Sequence, residues 1–409
     1  MIRRSRGYAP LPFMVSTPWK GQVIAAGGEL KNTFCIGVDN RFYPSPYVGD
    51  LEDLRTVKAL KETIGRLETL LEVQPEVVVC DLHPKYNSTV VAEELGLPVL
   101  KVQHHYAHIL SCMAENDCEE KVIGVSFDGT GYGTDGTIWG GEILMADHQG
   151  FTRIGSIEPF VQVGGDVSAK EGWRIAVSLI WQNTGNLEKT LDTVRKLGLC
   201  TGQEAKVLVT MAQRKINAVT STSAGRLFDG VSAILGIRRA STFEGEASTA
   251  LEFAAEAWRA QEIQKKNVDI RVKSLKMWMT EKKDIPENPG TSASSTEERK
   301  FVLNTGDIVA HLVREKLEGE DSGKLAYEFH RALADEILAA CEEAERQTGI
   351  RKVALSGGVF QNRLLLELVD DGLTEMGFKV LKHSLIPPND GGIALGQAVY
   401  GMAYVQRYR

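Results

Sequence analysis

Residues 121–157, "KVIGVSFDGTGYGTDGTIWGGEILMADHQGFTRIGSI", decide the fold. They read as an apolar strand, a polar glycine-containing turn, a second strand, another turn and a third strand, a three-stranded antiparallel meander. The same pattern stands at residues 22–46, "QVIAAGGELKNTFCIGVDNRFYPSP", with the turn at Gly27-Gly28-Glu29-Leu30-Lys31-Asn32. Sequence identity between the two copies is slight, so the repeat rests on pattern.

Between the copies lie a stretch with apolar residues at helical spacing, 51–73, and a buried strand, "EVVVCDLHP", 76–84. After the second meander the chain turns mostly helical, with periodic stretches at 171–182, 205–216, 225–235, 250–264 and 326–348. A strand–turn–helix unit at 352–373 and a strand at 379–383 precede a turn that runs into an apolar helix at 389–405. Meanders in two copies, with helices between them, point to the α/β architecture of actin-like ATPases and sugar kinases: two lobes with a nucleotide cleft between. The expected division is an N-terminal extension at 1–20 and a first lobe at 21–160, holding both meanders and completed by 391–409. A second lobe is expected at 161–390. The segment 282–300, rich in Pro, Gly, Ser and charge, reads as a mobile surface loop, and the basic stretch 265–278 before it as a solvated face.

A chain of 409 residues has room for two lobes. The formal charge of −7 argues against a general nucleic-acid binder. Six scattered cysteines without a C-x-x-C pair argue against a zinc ribbon or a disulfide framework. Cys80, inside "VVVCDL", reads as a buried, reduced thiol. The basic start has no apolar h-region, and no run has transmembrane length, so a cytoplasmic protein is expected.

Residues 101–110, "KVQHHYAHIL", put three of the eight histidines within five residues. On a helix, His104 and His108 share one face with Cβ atoms about 5–6 Å apart, which suits two ligands of one metal. His105 is turned about 100° away and falls outside the pair. Histidines on a helix also serve as ordinary hydrogen-bonded side chains, and spacing alone leaves both readings open. Asp128 closes an apolar strand, and Asp390 precedes two glycines and a helix start. Each is a carboxylate at the tip of an element, and each is equally a turn former.

Three further turns are candidates for a phosphate or a nucleoside. "DGTGYGTDGT" holds four glycines and the hydroxyls of Thr130 and Thr134, freeing backbone N–H groups to face an anion. It lacks the P-loop pattern and joins two strands, so a hairpin loop is the plain alternative. "ALSGGVFQN" sets Gly357, Gly358 and Asn362 at a strand-to-helix turn, where tight packing would also call for glycine. "STSAGRLFDGV" supplies Arg226 and Asp229 near a helix start, and the first meander's turn supplies Lys31; such charged residues are otherwise solvated.

The segments "RSRGYAPLP", "GGELKNTFC", "DLHPKY", "VQHHYAHI", "FDGTGYGTDGTIWGGE", "STSAGRLFDGV", "LSGGVFQN" and "NDGGIALGQA" together resemble the C-terminal carbamoyltransferase module of the hydrogenase maturation factor HypF. The resemblance covers nearly the whole chain. Broader relatives of that family are tRNA threonylcarbamoyladenosine transferase subunits and antibiotic O-carbamoyltransferases, with the actin-like fold and an H-x-x-x-H metal pair. The resemblance implies that His104, His108, Asp128 and Asp390 hold a catalytic metal. It implies that Lys31, Thr130, Gly131, Tyr132, Gly133, Asp229, Gly357, Gly358 and Asn362 contact carbamoyl adenylate or ATP.

Full-length members of the family make carbamoyl adenylate from carbamoyl phosphate and ATP. They then pass the carbamoyl group to the C-terminal cysteine of a partner, HypE, whose thiocarbamate becomes a cyanide ligand of the nickel–iron centre. The resemblance implies that this module performs the second transfer, with AMP leaving. A divalent metal is expected, iron or zinc, with magnesium possible during turnover; neither nucleic acid nor membrane is an expected partner. The acylphosphatase-like, zinc-finger and YrdC-like adenylate-forming segments of full-length members are not found here. An excised or separate module is therefore expected, dependent on a separate source of carbamoyl adenylate. In "GGDVSAKEGWR", Lys170 and Gly172 stand where the family pattern leads one to expect Arg and Pro. The rival readings are a tRNA threonylcarbamoyladenosine-type transferase or O-carbamoyltransferase, a sugar kinase, and a non-catalytic scaffold. The acidity and the form of "VQHHYAHI" favour the hydrogenase version.

Overall fold

The computed structural model describes residues 11–266 and 301–408. The expected loop at 282–300, most of the basic stretch before it, and the first ten residues lie outside these.

The first sheet is built from β1 (Phe13–Met14), β2 (Gln22–Ala25), β3 (Cys35–Val38), β4 (Arg41–Pro44), β5 (Val77–Asp81) and β6 (Val99–Val102). Its order is β1-β4-β3-β2-β5-β6. The first meander, β2 to β4, pairs antiparallel, while β5 and β6 join it in parallel through the helices α1 (Leu54–Leu71) and α2 (Asn87–Glu94). Asp53 caps α1 by accepting the N–H of Arg55, and Leu60, Ile64 and Leu67, at helical spacing, bury that helix against Ile24, Ile36 and Val78. All five residues of β5 are buried, the pattern of a strand covered on both faces. The helix α3 (His104–Glu115) follows β6 almost directly.

The second sheet repeats this plan. It opens with β7 (Val122–Tyr132), β8 (Ile138–Asp147), β9 (Gly150–Ile157) and β10 (Phe160–Val163). Helices α4 (Gly172–Thr184), α5 (Leu187–Lys196) and α6 (Gly202–Gln213), strand β11 (Ala218–Ser221), and helices α7 (Ala224–Ile234) and α8 (Glu246–Lys266) come next. Then follow β12 (Phe301–Leu303), α9 (Thr305–Leu317), α10 (Ser322–Thr348), β13 (Lys352–Ser356), α11 (Arg363–Glu375), β14 (Lys379–Leu381) and α12 (Ile393–Tyr408). The strands run β10-β11-β8-β7-β13-β14, with β9 on β8 and β12 on β9. As in the first sheet, an antiparallel meander is extended by two parallel strands, here β13 and β14.

Two expectations are corrected. The second meander does not share the first lobe: β7, β8 and β9 belong to the second sheet, so the sheets divide between α3 and β7 rather than at residue 160. The parallel pairing of β7 with β13 is what carries the meander across. The glycine-rich stretch is also mostly strand. β7 continues to Tyr132, its register with β8 slipping between Phe127 and Gly131, and the turn is confined to residues 133–137.

The helices α3 and α12 lie between the two sheets. Every residue of α3 from His104 to Ala114 is buried. It packs with α12 in one apolar cluster that reaches Val23 and Val79 of the first sheet and Val122 and Leu144 of the second. The two helix backbones touch at Gly396, where an added Cβ would stand 1.8 Å from the carbonyl oxygen of Ala107. Among the described residues, no helix is long and apolar enough to cross a membrane. Cys80 is buried, and burial raises its pKa to about 11.

Gly396→Ala forces α12 away from α3, because a backbone carbonyl cannot yield as a side chain can. The variant is expected to lose about 1–3 kcal/mol of stability, read as a lower denaturation midpoint; an unchanged midpoint would contradict this packing.

Candidate metal and nucleotide site

The structure brings His104, His108, Asp128 and Asp390 together. Gln103 caps α3 by accepting the N–H of Tyr106, so His104 is the first helical residue and His108 lies one turn on. Asp128 comes from the irregular part of β7. Asp390 opens the 3₁₀ turn Asp390–Gly392, which Asn389 caps by accepting the N–H of Gly391 at 2.9 Å. His104 Nε2 stands 3.2 Å from Asp128 Oδ2 and 3.6 Å from Asp390 Oδ1. The corresponding distances from His108 Nε2 are 3.5 and 3.7 Å.

These separations fit one cation. Ligand atoms about 2.0–2.2 Å from a metal stand roughly 3.3–3.6 Å apart on the edges of a tetrahedron. All four residues offer a ligand atom within 4.8 Å of the others. His108 Nε2 is buried without a hydrogen-bond partner, an atom that a metal would satisfy. Two imidazoles and two carboxylates suit iron or zinc, and the two negative charges match a divalent ion.

Electrostatics agree. Burial opposes charge on His104, yet Asp81, Asp128 and Asp390 raise its pKa well above the ordinary imidazole range. His108 is raised against burial by Asp128 and Asp390. Burial likewise opposes ionisation of Asp128, but the neighbouring imidazoles of His104 and His108 hold its pKa well below the carboxylate range. Asp390 is lowered too, against both burial and Asp128. Without a cation, the imidazoles are therefore drawn to hold the protons that balance the carboxylates.

A second ring of groups orients these four. His104 Nδ1 donates to Asp81 Oδ2 at 2.7 Å, which turns Nε2 toward the cluster. Asp81, fully buried at the end of β5, escaped the sequence reading; a carboxylate closing the apolar run "VVVC" was the available signal. The backbone N–H of Gly358 donates to Asp128 Oδ1 at 2.9 Å, leaving Oδ2 to the imidazoles. His105 stands apart as helical geometry predicts: its Nδ1 lies 3.1 Å from Gln103 Nε2 and its ring fills the space over Gly131. A Cβ on Gly131 would come within 2.4 Å of that ring, which accounts for glycine there.

The expected nucleotide residues divide. Lys31 lies at the tip of the first meander's turn with a left-handed backbone, φ 50°. Its ammonium pairs with Glu244 at 2.5 Å; burial opposes its charge, while Asp390 and Glu244 raise its pKa. Thr130 is exposed in β7, and Tyr132 stands edge-on to His83, whose ring stacks on Tyr86 at 4.0 Å. His83 and Tyr86 come from "DLHPKY" and were not anticipated as site residues. Arg226 and Asp229 are not offered singly. They form one ion pair at 2.7 Å, and burial raises the pKa of Asp229 against the pull of Arg226. Gly172 packs against the backbone of Asp229, where an added Cβ would lie 2.7 Å from its carbonyl oxygen.

The turn after β13 is also engaged inside the protein. Gly357 N–H donates to the carbonyl of Pro388, and Gly358 N–H to Asp128. The amide of Asn362 caps α11 by accepting the N–H of Leu365 at 2.9 Å and donates to His330 Nε2 at 2.8 Å. Burial holds the pKa of His330 at about 4, so that ring stays neutral and its Nε2 accepts.

Two outcomes follow for divalent metal binding. Asp81→Asn is expected to weaken Zn²⁺ affinity about 10–100-fold by chelator competition, and unchanged affinity would remove Asp81 from the site. Because the carboxylates raise His104 and His108, a metal displaces protons at neutral pH, so affinity should strengthen as pH rises. Calorimetry in buffers of different ionisation enthalpy reads this as proton release; a buffer-independent heat would contradict it.

Residues 19–115 match the family model of the HypF Kae1-like domain, and residues 124–397 the model described as carbamoyltransferase, Kae1-like domain, second subdomain. The gap between the two matches falls where the sheets divide. The carbamoyltransferase HypF of Synechocystis sp. is 36% identical over 409 residues, covering 97% of this chain and 49% of the relative. A carbamoyltransferase HypF homolog of Cupriavidus necator is 33% identical over 383 residues, covering 92% of this chain and 90% of its own length. The crystal structure of a full-length HypF in a phosphate- and nucleotide-bound form superimposes with a TM-score of 0.84 at 34% identity, over 99% of this chain and 49% of that one. The chain thus spans about half the length of the first two full HypF relatives it matches. The Kae1-like architecture is the actin-like, sugar-kinase-like class that the paired meanders anticipate. The chain belongs to the HypF carbamoyltransferase family, and its two sheets are that family's Kae1-like domain.

Proposed function

We propose that this chain transfers a carbamoyl group from carbamoyl adenylate to the C-terminal cysteine thiol of a HypE-type partner, releasing AMP. The observation that carries the reading is the cluster of two imidazoles and two carboxylates, set between both sheets in a chain of the HypF family. His104, His108, Asp128 and Asp390 would hold the divalent ion, which when bound supplies a positive centre that neutralises phosphate charge and orients the adenylate. Lys31, whose charge Asp390 and Glu244 favour against burial, would offer its ammonium to the leaving phosphate. Thr130–Gly133, the end of β7 and the start of its turn, would contact the nucleotide. The partner's thiolate attacks the carbamoyl carbon, the carbon–sulfur bond forms, and the bond to the phosphate oxygen breaks with AMP as leaving group.

An external acceptor is supported by the chain's own cysteines. Five of the six are buried and Cys200 is half-buried. Burial raises Cys80 and Cys200 to about 11 and Cys341 to about 12, so at neutral pH they are unreactive thiols. A nucleotide-bound structure of a HypF relative supports the choice of an adenylate donor.

The test supplies carbamoyl adenylate, the purified chain and a HypE-type protein, and weighs the partner. One added carbamoyl group on its C-terminal cysteine is expected. The His104→Ala/His108→Ala variant should lose both metal and transfer. Transfer to tRNA or to a small hydroxyl compound with no transfer to the thiol, or stoichiometric metal in the double variant, would overturn the proposal.

A further inference from the structure

One buried polar array lies outside the cluster and joins α3 to the segment that leads to Asp390 and to the strand that leads to Gly358. His383, in the segment after β14, has Nε2 2.8 Å from Ser356 Oγ and Nδ1 2.8 Å from Glu115 Oε2. Side-chain exposure is 3% for both His383 and Glu115, and Ser356 is fully buried. A serine, a histidine and a glutamate in this order would resemble a nucleophilic triad. Here the hydroxyl is sealed at the end of the interior strand β13, between β7 and β14, where no substrate reaches it.

The carboxylate of Glu115 does more than hold the imidazole. Its Oε1 accepts the N–H groups of Ser384 at 2.7 Å and Leu385 at 2.5 Å, and the hydroxyl of Ser384 at 2.9 Å. The N–H of Ile386 reaches the same carboxylate at 3.3 Å. Beside it, Asn116 donates to the carbonyl of Lys382 at 3.2 Å, and a turn earlier on α3 Ser111 donates to the carbonyl of Gly392 at 2.8 Å. Residues 382–392 are thus tied to α3 at both ends, with Asp390 between the ties. Pro387 and Pro388 stiffen the path from Ile386 to Asp390 by fixing φ.

Ser356 extends the array to the remaining ligand. It directly precedes Gly357 and Gly358, and the N–H of Gly358 orients Asp128. The carbonyl of Pro388 accepts the N–H of Gly357, closing the connection between that turn and the Asp390 segment.

We propose that Glu115, His383 and Ser356 are positioning residues that fix Asp390 and Asp128 relative to His104 and His108 on α3. Glu115 can only accept, so His383 carries its proton on Nδ1 and accepts the Ser356 hydroxyl at Nε2, which gives the array one polarity. His383 and the N–H groups of residues 384 and 385 hold Glu115 at about 2 against burial, while burial lowers His383 despite Glu115. At neutral pH the array is therefore one carboxylate, one neutral imidazole and one hydroxyl. The inference rests on the reading that the four ligands hold a metal.

The test titrates the full chain with Co²⁺, whose visible spectrum reports coordination geometry. Glu115→Gln and His383→Gln are expected to lower Co²⁺ affinity about 10–100-fold and to alter the spectrum of the bound ion. Should neither variant fold, Ser356→Ala, which deletes one hydroxyl, is expected to move affinity and spectrum in the same direction. A merely structural role predicts lower thermal stability with wild-type affinity and spectrum in the folded protein, and that result would overturn the inference. Failure of the wild-type chain to bind Co²⁺ would instead overturn the metal reading itself.

Discussion

Asp128 is buried and Asp390 half-buried beside it, and two carboxylates so placed demand positive charge close by. That demand explains much of the architecture around them. Two imidazoles are needed at once, so they come from one helix at i and i+4, and α3 has to run through the middle of the molecule to deliver them. A helix placed there is covered on every side, which leaves its neighbours little room for side chains at Gly396 and Gly131. Burial then requires each imidazole and carboxylate to be oriented by something fixed, and Asp81 and the Gly358 N–H meet that need.

Much of this was legible in the sequence. The two meanders were recognisable because each strand alternates or runs apolar for a few residues and is broken by glycine and polar turns. Helical spacing put His104 and His108 on one face and set His105 aside, while leaving open what the pair does. The allocation of the second meander to a lobe was not legible. Nothing local in residues 122–157 says that β7 will pair with β13, more than 200 residues later, and that long-range pairing decides the sheet. The extent of β7 is hidden for a related reason: Gly131 makes room for His105 of α3, yet in sequence the glycines look like a turn.

The functional residues divide along the same line. The clustered residues interrupt apolar runs: Asp128 at the irregular part of β7, Asp390 at the head of a 3₁₀ turn and the histidine pair on α3 are conspicuous in sequence. The groups that orient them sit inside, and Asp81, Glu115 and His383 resemble ordinary strand-end or helix-end polar residues until the fold joins them. Asn362 and the Arg226–Asp229 pair also hold internal partners that the sequence does not announce, a helix cap and an ion pair.

The exchange of closing helices between the sheets bears on how the chain is made. α3 ends the first half, yet it packs on β7 and β13; α12 ends the second half, yet it lies on β2, β3 and β5. During synthesis from the N-terminus, Val23 and Val79 on the first sheet have no cover until the sixteen residues of α12 emerge. Closure of the first sheet's apolar face therefore depends on residues that follow the whole second sheet in the chain.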